Sequence, residues 1–184
     1  MQRQRYRAGK HWDSCKWNQG CPQCGGKTPE PTKAYARLKG GPLAPDIEGL
    51  VRFTEVPGGV WVKVEVCGLP PYCPGKGDRL PIGPHGFHIH EKGVCQAGDP
   101  EDPFLAAGSH WNPCNQPHGN HAGDFPVLFS NDGVAMMSFF TNKFRVSAII
   151  GRSVIIHQSP DDYRTQPAGN SGKRLACGVI RAGE

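Results

Sequence analysis

Five of the eight histidines of this 184-residue chain fall between Gly86 and Asp124, in the runs GFHIHEKGVC, GSHWNP and PHGNHAGD. His88 and His90 are separated by one residue. If Phe87 to Glu91 is extended, both imidazoles project from the same face of a strand, as a pincer for one metal ion. His110 stands between Ser109 and Trp111, and His118, His121 and Asp124 follow at intervals of three, so short turns bring two imidazoles and a carboxylate onto one centre. These donors are nitrogen and oxygen rather than sulfur. Imidazole sets suit copper or zinc, and an imidazole and carboxylate set suits zinc. The pattern predicts a metal centre and leaves room for a second metal beside the first. A single histidine in a Gly- and Pro-rich loop is ordinarily a solvated side chain; it is the clustering that argues for ligation.

Such loops need a rigid frame to hold them. The length fits one domain with an appendage, and 25 glycines with 18 prolines imply frequent turns and few helices. From Lys33 the apolar pattern has a period of two: Ala34, Ala36 and Leu38, then Val51 and Phe53, then Val60, Val62, Val64 and Val66, each alternating with polar or exposed types. Three half-buried strands follow, and Pro57-Gly58-Gly59 turns the second into the third as an antiparallel hairpin. Gly133–Phe140, Ser153–His157 and Ala176–Ile180 read as further strands, and Leu69–Pro84 as a loop. The expectation is an all-β antiparallel sandwich or barrel with two long functional loops.

Residues 1–31 read as a separate extension and linker, and 32–184 as the domain. The extension carries His11, Cys15, Cys21 and Cys24, the last two in CPQCGG, a tight turn that points two sulfurs the same way. It reads either as a Cys3His metal knuckle or as a loose tail with free or oxidised thiols. Arg3, Arg5, Arg7 and Lys10 precede it without an apolar run, which is not the pattern of a secretory signal. A cytoplasmic protein is expected, or an extracytoplasmic one whose signal was removed. The net charge of +5 favours anions as partners. Basic residues do not alternate with aromatics, so nucleic acid is not expected as a partner. No run of some 18 apolar residues exists, so no membrane span is expected. Cys67, Cys73 and Cys114 remain, with a Cys67–Cys73 bridge and free thiols both open.

The segments GFHIHE, GSHWNP, HAGD, IIGRSVIIH and GKRLACGVI, in this order from about Lys33 to Arg181, resemble the copper-zinc superoxide dismutases. The resemblance implies a Greek-key β-barrel and an enzyme that converts superoxide to oxygen and hydrogen peroxide by cycling Cu(II) and Cu(I). It further implies His88, His90, His110 and His157 as copper ligands, and His110, His118, His121 and Asp124 as zinc ligands, with His110 shared. Asp161 matches the carboxylate that links a copper-binding to a zinc-binding histidine, Cys95 and Cys177 match the family's disulfide, and Arg174 matches the arginine beside the copper. The partner implied is the small superoxide anion, with a homodimer left open. The alternative carried beside it is a dismutase-like copper or zinc carrier whose N-terminal cysteines form a delivery arm. The run from His118 to His121 is shorter than the zinc loop most familiar in the family.

Overall fold

In a computed structural model the described residues are 30–183, so the expected ligands His11, Cys15, Cys21 and Cys24 lie outside them. Seven strands form one antiparallel sheet: β1 (Lys33–Gly40), β2 (Glu48–Val56), β3 (Gly59–Cys67), β4 (Phe87–His90), β5 (Ala135–Thr141), β6 (Ser153–His157) and β7 (Arg174–Ala182). Their order is β4-β6-β7-β1-β2-β3-β5, so the chain crosses the barrel ends between β3 and β4 and between β5 and β6. The period-two reading sets the inward face. Ala34, Ala36, Leu38, Val51, Phe53, Val60, Val62, Val64 and Val66 are all buried, and β2 meets β3 with Val51 opposite Val64 and Phe53 opposite Val62. Burying each such side chain contributes roughly 1.5–3 kcal/mol. The β2–β3 hairpin turns through Gly58, whose φ of 87° lies where a side chain would be strained.

The sheet curls without closing through named strands alone. A short segment fills the gap: Leu128 exchanges backbone hydrogen bonds with His85, and the Phe125 N–H donates to the Phe87 carbonyl. This pairing lays the end of the long loop after β4 along the free edge of β4. The aromatic core beneath it joins Phe125 to Phe87, Phe139 and Phe144 at ring separations of 5.3, 5.0 and 6.1 Å. Among the described residues, helical structure is limited to one turn at Val146–Ile149 and a 3-10 turn at Leu105–Ala107. No helix among the described residues is long and apolar enough to cross a membrane.

Cys95 and Cys177 are disulfide-bonded, across 82 residues of chain. The bond fastens the loop after β4 to the middle of β7. Closing a loop of that length removes chain entropy worth about 4–5 kcal/mol from the unfolded state. Reduction is therefore expected to lower the denaturant midpoint of the full chain markedly, measured by urea unfolding with and without reductant; coincident curves would contradict it. Cys67 and Cys73 are both free, so no bridge joins them. Cys67 ends β3 on its exposed face, while Cys73 sits in the loop beside Arg79, whose Nη2 lies 3.2 Å from its sulfur.

Candidate metal centre

Strand β4 is buried on both faces. Phe87 and Ile89 point into the core, and alternation turns His88 and His90 the other way, where two loop limbs cover them. The backbone fixes those limbs. Trp111 N–H donates to the Ile89 carbonyl, Ile89 N–H to Gly123, and Gly123 N–H to Trp111. These contacts place His110 opposite His90 and Asp124 opposite His88. A side chain on Gly123 would run into the Ile89 carbonyl, so this close approach requires glycine. His157 arrives from β6, which pairs with β4 through Phe87–Ile156 and Ile89–Val154.

Two clusters result. One ligand atom from each of His88, His90, His110 and His157 lies within 4.8 Å of the others, and the same holds for His110, His118, His121 and Asp124. His110 belongs to both. The nitrogen that each ring leaves uncommitted is the informative detail. His90 donates from Nδ1 to the Gly108 carbonyl at 3.0 Å, leaving Nε2 at 3.2 Å from His157 Nε2. His88 and His118 each commit Nε2 to Asp161, at 2.7 and 2.8 Å. His88 Nδ1, His110 Nε2, His118 Nδ1 and His121 Nδ1 are buried without a hydrogen-bond partner. A buried polar atom left unsatisfied costs about 1–3 kcal/mol. Four such atoms converging on two points fit two cations, and imidazole with one carboxylate is the donor chemistry of copper and zinc.

Electrostatics agree with this geometry. Burial, reinforced by the neighbouring imidazoles, holds His88 and His90 well below the usual histidine range. Burial likewise pushes His157 down to about 3. These rings are therefore neutral at pH 7, with lone pairs open to a metal. Burial pushes the Asp124 carboxyl up, but His110, His118 and His121 outweigh it and hold the group well below the ordinary carboxylate range. Asp124 Oδ2 also accepts the backbone N–H groups of Gly119 and His121, at 2.9 and 3.0 Å, which closes the short turn between the two histidines.

Asp161 is fully buried between the clusters. A methyl group on Gly169 would overlap both its Oδ1 and His118 Nε2, so glycine roofs this bridge, at a φ of 65°. Three supports escape a reading by ligand type. Gln166 Oε1 accepts the His118 N–H at 2.8 Å, the Tyr163 hydroxyl donates to the Phe125 carbonyl at 3.1 Å and accepts the Val127 N–H at 2.9 Å, and Lys143 Nζ donates to the His121 carbonyl at 3.0 Å. Gln166 and Tyr163 clamp the loop after β6 onto the loop after β4, and Lys143 ties the segment after β5 to the same loop. His85 is a fourth: its Nδ1 donates to the His157 carbonyl at 2.9 Å, beneath the end of β6. The run PHGFHIH was its only signal in the sequence.

A channel of about 380 Å³ opens onto His90, His110 and His157, with Arg174 and Asp102 in its wall. Arg174 begins β7, and its guanidinium donates to the Phe104 carbonyl at 2.5 Å and to the Gly108 carbonyl at 2.8 Å. Gly108 thus ties Arg174 and His90 to one oxygen. Burial lowers the Arg174 pKa and Asp102 works against that shift.

A family model described as copper/zinc superoxide dismutase (SODC) matches residues 47–180. Among curated relatives, a Cu-Zn superoxide dismutase of Deinococcus radiodurans is 37% identical over 153 residues, covering 74% of this chain and 78% of that protein. The second such protein of Aquifex aeolicus is 35% identical over 151 residues, covering 74% and 80%. The solved Cu/Zn superoxide dismutase from Brucella abortus superposes with a TM-score of 0.64 at 32% identity, covering 80% of this chain and 98% of that one. The chain belongs to the copper/zinc superoxide dismutase family.

Proposed function

We propose that this chain is a superoxide dismutase, with copper held by His88, His90, His110 and His157 and zinc by His110, His118, His121 and Asp124. The observation that carries the assignment is the set of unpartnered buried nitrogens meeting at two points that share His110. When bound, copper supplies the Cu(II)/Cu(I) couple by which one superoxide is oxidised to dioxygen and another is reduced to peroxide, and imidazole tolerates both oxidation states. The chain does the remainder. Arg174, held by two carbonyls, presents its remaining N–H donors to an anion entering the channel. His110 belongs to both clusters, with Nδ1 3.1 Å from Asp124 Oδ1 and Nε2 buried without a hydrogen-bond partner. Whenever Nε2 is not engaged by copper it can carry a proton drawn from solvent, beside the channel, and pass it to a peroxide forming there. His110, His118, His121 and Asp124 would hold zinc with four protein donors, and zinc there would serve structurally by fixing the His110 ring and the loop around it. The carrier reading has no use for a channel walled by an arginine. Superoxide consumption by copper- and zinc-loaded protein tests the proposal; loaded protein that fails to accelerate the loss of superoxide overturns it.

Arg174→Glu is expected to lower kcat/KM by about 10–1,000-fold, the range over which a charged cleft alters anion capture. Superoxide dismutase is itself a standing example of such steering, so the range is general and not specific to this chain. The salt dependence should reverse: screening slows capture by a positive cleft and relieves repulsion by a negative one. An unchanged rate at low ionic strength would place Arg174 elsewhere in function.

For assembly we propose a homodimer through the outer face of β3 and β5. There Trp61, Met136 and Phe140 are 47, 68 and 48% exposed, with Trp61 directly opposite Phe140. A two-fold contact buries the same stripe on both copies. Sedimentation at micromolar concentration should show a dimer, and Trp61→Arg a monomer; a wild-type monomer would refute the contact.

A further inference from the structure

A cavity of about 560 Å³ lies outside the metal centre, over the outer faces of β1 and β7. Strand register builds one wall. Tyr35 pairs with Arg181 and Lys39 with Cys177, so alternation brings Tyr35, Arg37, Lys39 and Arg181 to the same side of the sheet. The other wall is the turn after β1, with Pro42 and Pro45, and the loop fastened by Cys95, with Ala97 and Phe104. The Phe104 ring is seated against Gly41, where an added methyl would fall 2.6 Å from it. The volume lies in the range of small-molecule sites.

Its chemistry is lopsided. Among the described residues that line it stand three cations, Arg37, Lys39 and Arg181, and no carboxylate. Arg37 stacks its guanidinium 5.5 Å from the centre of the Tyr35 ring. Lys39 and Arg181 are exposed at the rim. The floor is apolar, from Phe104, Pro42, Pro45 and Val179. An inorganic anion would use the rim and waste the floor, and a neutral hydrocarbon would do the reverse. We propose that this groove is a second binding site, for a monocarboxylate carrying a short hydrocarbon chain, its head on the basic rim bounded by Lys39 and Arg181 and its tail on Phe104.

The site does not depend on the dismutase reading, and its test reads binding rather than turnover. Hexanoate is titrated into the full-length, metal-loaded, oxidised protein and followed by isothermal calorimetry and by NMR shifts of Tyr35 and Phe104. Saturable binding with a Kd on the order of 1 mM is expected for a ligand of this size. Lys39→Glu/Arg181→Glu should weaken it at least about tenfold while keeping the wild-type thermal melt, and hexanol and inorganic phosphate should each bind at least about tenfold more weakly than hexanoate. If the double variant unfolds, Lys39→Gln/Arg181→Gln replaces it and should show the same loss. No saturation by hexanoate, equal binding of phosphate, or affinity unchanged in the charge variants would overturn the proposal.

Discussion

His90→Ala is expected to leave a folded protein that no longer turns over superoxide. The fold survives because His90 contributes nothing to the core: on β4 the packing is carried by Phe87 and Ile89, and the strand is held by its pairing with β6 and by the Ile89 backbone bonds to Trp111 and Gly123. Activity does not survive, because His90 Nε2 faces His157 Nε2 across the point where the four donors proposed for copper meet. Changing a group that only supports a ligand costs about 10–100-fold in metal affinity or activity, so loss of a ligand should cost more than about a hundredfold. Three measurements belong together: circular dichroism for the fold, copper content after dialysis, and superoxide consumption. Near wild-type turnover with copper retained would remove His90 from the copper site. The same variant should keep its zinc, since His90 is not among the donors of the second cluster.

The strands that frame this site were legible because a sheet with one wet face writes its inward side as alternation. Ala34, Ala36 and Leu38 in β1 and the valines of β3 are buried as that pattern requires. Strand β6 likewise spans Ser153–His157 as read, whereas β7 begins two residues earlier than expected, at Arg174. Alternation fails for β4, where loops bury the imidazole face as fully as the core face. Segment 125–128 was also illegible. It joins the edge of β4 by a few backbone bonds around Pro126, with no room for a repeating pattern.

At the site, residue type and spacing pointed to His88, His90, His110, His118, His121 and Asp124. They did not point to His157 or Asp161, which come from a distant strand and the loop beyond it. Only the resemblance connected those two to the others. Gln166 and Tyr163 carried no chemical signal, since their work is to hold backbone groups of a segment some 40 residues away in sequence. The groove beside Cys95 was invisible for a related reason. Its cations alternate harmlessly along β1 and β7 as a solvated face would, and only the strand pairing and the loop opposite make them one wall.

Asp161→Asn should release copper more readily than zinc. The two oxygens of Asp161 are not equivalent in their duties: Oδ1 accepts from His118 Nε2 at 2.8 Å and from the Tyr163 N–H at 2.7 Å, whereas Oδ2 accepts from His88 Nε2 alone at 2.7 Å. An asparagine has one accepting oxygen. It satisfies more donors by turning that oxygen toward His118 and Tyr163, which sets its NH2 against the N–H of His88. Two donors then face each other in a fully buried place. His88 can escape only by swinging away or by moving its proton from Nε2 to Nδ1, the nitrogen that the copper site needs, and either course removes a copper donor. His118 keeps its acceptor and leaves Nδ1 free for zinc. Supporting groups of this kind are worth about 10–100-fold in metal affinity, so copper retention against a chelator should fall by that factor while zinc retention changes less. Metal content of wild type and variant after matched chelator dialysis decides it. Preferential loss of zinc, with copper held as tightly as in the wild type, would show that the asparagine turns the other way and that His88 does not depend on Asp161 for its orientation.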